Sequence, residues 1–183
     1  MTDDAEAGML STSTVASADS APARHPSHRI PALTAAIAIL VVAIDQLTKR
    51  WALSELTGRP PRHVVWTLQW NLTRNSGMAF SKAQGIGPLI GIVAMLVVLW
   101  LAWTSRKFTG RFPAVAAGLI AGGAIGNLAD RLFRDGRVLR GSVIDFIDFQ
   151  WFPIFNVADM AIDIGGVLFV LWTVLGHRKT SAA

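Results

Sequence analysis

Residues 86–103 read IGPLIGIVAMLVVLWLAW, eighteen positions without a charged side chain. A helix needs about 20 residues to cross the hydrocarbon core of a bilayer, and this run is close to that length. Three more apolar segments surround it. One runs from Ile30 to about Leu53 and is continuous through Ile44. Another, FPAVAAGLIAGGAIGNLA, covers Phe112–Ala129 and is rich in Gly and Ala; the last runs from about Val157 to Gly176. Trp51, Trp100, Trp103, Trp151 and Trp172 fall near segment ends, where an aromatic belt sits. The expected fold is an all-α membrane protein: a four-transmembrane-helix bundle with spans about 30–53, 86–104, 112–130 and 157–176.

The composition agrees and excludes several chemistries. Of 183 residues 52% are apolar and 16% charged, with a mean hydropathy of +0.44. That length allows one domain. With no Cys there is no disulfide scaffold, Cys-ligated metal or thiol nucleophile. The four His, at 25, 28, 63 and 177, lie outside the apolar segments, so neither a His metal site nor a Ser–His system has material. The +5 net charge sits in short Lys/Arg clusters between apolar runs, which reads as membrane-flanking charge and not as a nucleic-acid surface. Residues 1–29, rich in Ser, Ala, Thr, Asp and Pro, are expected to be a disordered cytoplasmic tail.

Four spans put both ends of the bundle on one side. Arg106, Lys107 and Arg111 cluster between spans two and three, and Arg178 and Lys179 lie in the C-terminal tail, 177–183. By the positive-inside rule these are cytoplasmic. Asp45, Lys49, Asn127, Asp130, Arg131, Asp145 and Asp159 then all emerge at the opposite face, where a site at the membrane surface would lie. In the first connection, Val64–Leu72 (VVWTLQWNL) alternates Val64, Trp66, Leu68, Trp70 and Leu72 with mostly polar neighbours. This is strand periodicity, so a small β element is expected on the non-cytoplasmic face, with Trp66 and Trp70 toward lipid or substrate, or packed on the bundle. Asn75-Ser76-Gly77 follows as a turn signal.

A carboxylate in or beside a membrane is costly and calls for a reason. Asp45 and Lys49 share a helix face at i,i+4, the acid N-terminal to the base. Gly118, Gly122 and Gly126 form a small-residue stripe for close helix packing. One turn on, Asn127 and Arg131 share a face; an Arg there binds a carbonyl, phosphate or carboxylate, or snorkels to the interface. Asp145 sits among large apolar residues in VIDFIDF, and Asn156 is placed to cap the last helix with Asp159 in its first turn. Two carboxylates brought together in a low dielectric cannot both ionise readily. Such a pair holds a base to activate water and an acid to protonate a carbonyl oxygen, which is what metal-free peptide hydrolysis needs. The bland alternatives are capping for Asp159 and an ion pair with Arg137 or Arg140 for Asp145. Spacing alone leaves Asp145, Asp148, Asp159 and Asp163 open.

Five motifs in series carry a resemblance: Asp45-Gln-Leu-Thr-Lys49, Asn75-Ser-Gly-Met-Ala-Phe80, Gly122-Gly-Ala-Ile-Gly-Asn-Leu-Ala-Asp-Arg131, Val143-Ile-Asp-Phe146 and Phe155-Asn-Val-Ala-Asp-Met-Ala-Ile162. In this order, over residues 30–176, the chain closely resembles bacterial lipoprotein signal peptidase (signal peptidase II). The resemblance implies an inner-membrane aspartyl endopeptidase that cuts the signal peptide from a prolipoprotein just before a diacylglyceryl-bearing cysteine; a monomer is expected. It places the catalytic aspartates on Asp145 and Asp159 and a substrate site on Asn75, Asn127, Arg131 and Asn156. Asp45, Lys49, Asp130, Gly122 and Gly126 would support that site. No cofactor or metal is implied; the partners are lipid-modified prolipoproteins, membrane lipids and inhibitors of the globomycin type. Asp163 has no counterpart in the resemblance. A transporter or channel subunit would need polar residues along a whole path, which the cytoplasmic halves of the spans lack. An assembly protein whose acids only cap and pair would tolerate Asn at 145 and 159.

Overall fold

The computed structural model describes residues 29–77, 87–134 and 139–180. The tail 1–28, the Met78–Phe80 part of the second motif and Arg137 lie outside them. Four long helices are present among the described residues: α1 (Arg29–Leu56), α2 (Gly87–Thr104), α3 (Arg111–Phe133) and α4 (Val157–Thr180). Each is long and apolar enough to cross a membrane, with mean hydropathy from 1.5 to 2.1 over the best window. A short 3₁₀ turn, Ser105–Lys107, follows α2, and Lys107 lies 4.3 Å over the Trp103 ring. The last helix continues through His177–Thr180, which the hydropathy pattern assigns to a tail. Hydropathy ends a span where polar residues begin; a helix ends only where its backbone bonding stops.

The bundle is organised around α3, which packs broadly on α1 and α4 and less on α2. Small residues make that possible. A Cβ on Gly122 would come within 2.7 Å of the Val41 Cβ and 2.8 Å of the Ala38 carbonyl oxygen, so α1 and α3 touch backbone to backbone there. Ala38, Leu101, Ala117 and Ala121 form one buried cluster between α1, α2 and α3. Large apolar side chains such as Ile39, Leu47, Leu96, Leu99 and Val167 are exposed on the outer surface. That is the inverse of a water-soluble bundle and the expected arrangement in lipid, where acyl chains cover them.

Three strands cap one end: β1 (Arg62–Val65), β2 (Leu68–Asn75) and β3 (Val143–Asp148), antiparallel in the order β1-β2-β3. The alternation at Val64–Leu72 is not one strand. It breaks at Trp66, which has φ of 51°, and the two halves fold back as a hairpin with Arg62 opposite Trp70. Period-2 patterning persists through such a turn, so the sequence alone does not show the reversal. The reversal separates the two tryptophans. Trp66 is 78% exposed at the hairpin tip, whereas Trp70 packs on Trp51 and Phe146 with ring centroids 5.5 and 6.0 Å away. That aromatic group, with Ala52 and Leu56, seats the sheet on the last turns of α1.

The third strand, β3, is not evident from patterning because almost all its residues are buried on both faces. It pairs with β2 so that Thr73 opposes Asp145 and Asn75 opposes Val143. The chain then turns through 149–154 and returns to β3. Phe146 and Ile147 N–H both donate to the Phe155 carbonyl oxygen at 3.0 and 2.9 Å, and Phe155 N–H donates to the Ile147 carbonyl at 3.1 Å. This closure delivers the start of α4 beside Asp145.

Candidate active site

The local logic begins with Asn156 at the head of α4. Asp159 N–H donates to Asn156 Oδ1 (3.0 Å), and Asn156 N–H donates back to Asp159 Oδ2 (3.2 Å). This reciprocal pairing is a capping box with Asp in the third helical position. It leaves the Asn156 Nδ2 group free to donate to Asp145 Oδ1 (2.6 Å) and Asn127 Oδ1 (3.2 Å). Asn156 is fully buried, so its place is between the two acids and not on an accessible wall.

The remaining contacts converge from three other elements. Asn75, at the end of β2, donates through Nδ2 to Asp145 Oδ2 (3.1 Å), while its own Oδ1 accepts Gly77 N–H (3.0 Å) in a turn where Gly77 has φ of 95°. From α3, Asn127 Nδ2 donates to Asp159 Oδ1 (2.7 Å). Each carboxylate therefore accepts one hydrogen bond on each of its oxygens. Asp145 is 2% exposed. Burial, and next the Asp159 charge, push its carboxyl up from the usual 3.8 to about 6, against the hydrogen bonds from Asn75 and Asn156 and the Lys49 charge. A carboxyl at that value holds or gives up a proton near neutral pH.

Of the four acids that spacing leaves open, two stand apart. Asp148 is three residues along β3 from Asp145 and points the other way. It accepts Gln69 Nε2 (2.7 Å), Asn71 Nδ2 (2.8 Å) and Gln150 N–H (2.6 Å). Despite its burial, these hydrogen bonds hold its carboxyl below the usual range. Asp163 is exposed, one turn beyond Asp159 on α4. Asp145 and Asp159 alone among the four share one hydrogen-bonded network, with Asn156 between them.

Behind this network lies a fully buried ion cluster. Lys49 Nζ contacts Asp45 Oδ2 at 2.8 Å and Asp130 Oδ2 at 2.9 Å, and donates to Asn127 Oδ1 at 2.9 Å. Asp45 Oδ1 accepts Ala158 N–H (3.0 Å), one of the unpaired donors of the first turn of α4. Asp130 also takes Arg134 Nε at 2.6 Å and Ile144 N–H at 3.2 Å, tying α3 to β3. Sequence reasoning finds Asp45 and Lys49 by their i,i+4 spacing but misses Gln46 and Arg134. Gln46 Nε2 donates to Asp45 Oδ2, the Gly126 carbonyl and Asp130 Oδ1, and nothing in its own spacing signals that. Arg134 was findable, four residues from Asp130 on the same helix face. Gly126 sits here for steric reasons: a Cβ would come within 2.6 Å of Asp45 Oδ2.

A cleft of about 310 Å³ opens beside Asp159 and is lined by α2, α3 and α4. Its walls are Ile90, Val93, Ala94 and Val97 from α2 and Ile120, Ala124 and Ile162 from α3 and α4. Asn127, Arg131 and Asp159 are its polar lining. Arg131 is 6% exposed; its Nη1 reaches the Asn127 carbonyl at 3.4 Å, and its Nε has no hydrogen-bond partner among the described residues. A guanidinium with an unused N–H in the lining of an apolar cleft has the chemistry to donate to an oxygen acceptor. Among the described residues, no group of three or more His, Asp or Glu is placed to hold a metal ion.

A protein-family model described as signal peptidase (SPase) II matches residues 37–175. A lipoprotein signal peptidase of Mycobacterium avium (strain 104) is 40% identical over 158 residues, covering 86% of this chain and 86% of that protein. One from Mycolicibacterium smegmatis (strain ATCC 700084 / mc(2)155) is 39% identical over 177 residues, 96% of this chain and 74% of that one. A bacterial membrane enzyme solved by the in meso method at 2.3 Å superposes with a TM-score of 0.69 at 29% identity, covering 81% of this chain and 91% of that chain.

Proposed function

The chain belongs to the signal peptidase II family, and from that premise we propose that it is an aspartyl endopeptidase that removes signal peptides from diacylglyceryl-modified prolipoproteins, cutting before the lipidated cysteine. The observation that carries the proposal is the pairing of Asp145 and Asp159 through Asn156 at the polar end of an apolar cleft. Such a cleft suits a substrate that is itself apolar, a signal-peptide segment joined to an acylated residue. The four spans and the family place the protein in a bacterial membrane. With both termini cytoplasmic, the sheet and the acids lie at the outer face, where a lipidated cysteine sits.

In the proposed reaction one aspartate is ionised and takes a proton from water as the water oxygen attacks the scissile carbonyl carbon. The other is protonated and donates to the carbonyl oxygen, giving a neutral tetrahedral diol. Collapse breaks the C–N bond, with a proton delivered to the leaving amine, and the dyad returns to one proton. Asp159, in the first turn of α4 where the helix dipole favours its charge, suits the base; Asp145, pushed up to about 6, suits the acid. The pair titrates as a unit, and these roles describe its dominant microstate. Arg131 would hold a carbonyl of the bound substrate, and an inhibitor of the globomycin type would occupy the same cleft.

The test uses purified protein in detergent and a diacylglyceryl-modified prolipoprotein, with signal-peptide release followed on a gel. Wild type and Asp163→Asn are expected to cleave, while Asp145→Asn and Asp159→Asn lose about 10³-fold or more. Absence of cleavage by folded wild type removes the peptidase reading. Activity persisting in either dyad variant moves the catalytic acid elsewhere.

A further inference from the structure

Three carboxamides surround the two acids, and each has its carbonyl oxygen occupied by a group that can only donate. Gly77 N–H occupies Asn75 Oδ1, Asp159 N–H occupies Asn156 Oδ1, and the Lys49 ammonium occupies Asn127 Oδ1. A carboxamide has an acceptor end and a donor end. With the acceptor end taken, each amide must aim its NH₂ at a carboxylate, and all three do, at 3.1, 2.6 and 2.7 Å. Two of the fixing donors are backbone groups. On Asn127 Oδ1 the donors are side chains, Lys49 at 2.9 Å and Asn156 Nδ2 at 3.2 Å.

The Lys49 ammonium has three protons and three partners, Asp45, Asp130 and Asn127. Asp130 is also served by Arg134, so the cluster balances two carboxylates against two cations without Asn127. The third N–H is therefore directed at an amide and is not needed for charge balance. We propose that Lys49 is a positioning residue whose third N–H holds the Asn127 amide with its NH₂ toward Asp159, so that Asp159 meets donors only and serves as the ionised member of the pair. Without that hold, rotation of the amide is opposed by the longer Asn156 contact at 3.2 Å and by the amide's own bond to Asp159. A rotated Asn127 would set a carbonyl oxygen against a carboxylate oxygen, a repulsion that a proton on Asp159 relieves.

The charged groups around Asp159 are Asp163 on its own helix, Asp45 and Lys49 from α1, Asp130 and Arg131 from α3, and Asp145 from β3; α2 contributes none among its residues Gly87–Thr104. Lys49 thus also acts on Asp159 through space, and the test must separate the two routes. Lys49→Met alone would strand the buried Asp45 carboxylate, so the charge-balanced double variant Asp45→Asn/Lys49→Met is used. It is made in the wild-type background and in Asn127→Leu, which has no amide to orient.

Two readouts are taken on the full chain in detergent. One is the pH profile of kcat/KM for cleavage of the lipidated prolipoprotein. The other is the titration of the Asp159 side-chain carboxyl by NMR after ¹³C-Asp labelling, with the resonance identified by its absence in Asp159→Asn. The double variant is expected to move the Asp159 titration, and the acid limb of the profile, upward by about one pH unit, or tenfold in rate on that limb. In Asn127→Leu it is expected to add no further movement, as a shared route requires. An equal shift in both backgrounds would show a through-space charge effect and overturn the proposal, as would no shift in either. The kinetic arm rests on the peptidase reading. If wild type cleaves nothing, that reading fails, and the NMR titration still decides whether Lys49 orients Asn127.

Discussion

Asp145→Asn is expected to make the folded protein more stable at pH 8 while abolishing cleavage. The native carboxyl titrates at about 6, against 3.8 when unfolded, because burial and the Asp159 charge oppose its ionisation. The folded state therefore holds the proton more tightly, and between these values it binds more protons than the unfolded state. Stability gained from that proton is complete below about pH 4 and is lost as the pH rises through 6. Above 6 the ionised side chain costs about 3 kcal/mol, the difference from 3.8 to about 6 at 1.36 kcal/mol per pH unit. Asn carries no such cost. Its oxygen still accepts from one of Asn75 and Asn156, but its NH₂ faces the NH₂ of the other, which offsets the gain by about 1 kcal/mol for the lost hydrogen bond. The net expectation is about 2 kcal/mol of stabilisation at pH 8, and a slight loss at pH 4 where the aspartate is already neutral.

The assay is denaturation of wild type and variant in one detergent, across pH 4 to 8, followed by tryptophan fluorescence. The informative quantity is the change of the variant-minus-wild-type difference with pH, about 3 kcal/mol in all, because pH-independent packing effects cancel in it. A difference that stays flat across this range would refute the burial argument for Asp145. A variant that loses stability as the pH rises would reverse its sign.

Four further outcomes are expected. Gly122→Leu should cost about 1–3 kcal/mol or prevent folding, since its Cβ alone lands 2.7 Å from the Val41 Cβ; thermal denaturation in detergent reads this. Asp148→Ala should destabilise the sheet at pH 7 while leaving cleavage intact. Because that carboxyl is held below the usual range, its stabilising effect is full above about pH 4 and fades as the pH falls further, so the two proteins should converge in acid. Ala94→Trp, which fills the α2 wall of the cleft, should raise KM for the lipidated substrate more than it lowers kcat. Phe155→Pro removes the N–H that bonds Ile147, and should abolish activity with helical circular dichroism unchanged.

The four spans are legible because the bilayer demands an apolar length that few other structures use, and IGPLIGIVAMLVVLWLAW has no second reading. The sheet is only half legible. Its alternation at Val64–Leu72 is visible, but the reversal at Trp66 rests on a single backbone angle, and β3 hides because both its faces are covered. Asp45 and Lys49 announce themselves by helical spacing, whereas Asp130 reaches Lys49 across 81 positions and Asn75 reaches Asp145 across 70. Such contacts depend on which helices become neighbours. The small-residue stripe of α3 indicates that some helix approaches closely but not which one. The five motifs in series bridge that gap because a family pattern carries the three-dimensional partnership that spacing lacks.

The separation of the two acids is set by a local backbone closure. Asp145 is two residues before Ile147 on β3, and Asp159 is four residues after Phe155 at the head of α4; Ile147 and Phe155 are bonded to each other through both backbone groups. A short closed loop thus fixes the path between the acids, and Asn156, next to Phe155, spans the gap with one side chain and one N–H. Asn127 from α3 and Asp45 from α1 bond the same first turn of α4, so the head of that helix is held to both neighbours as well as to β3.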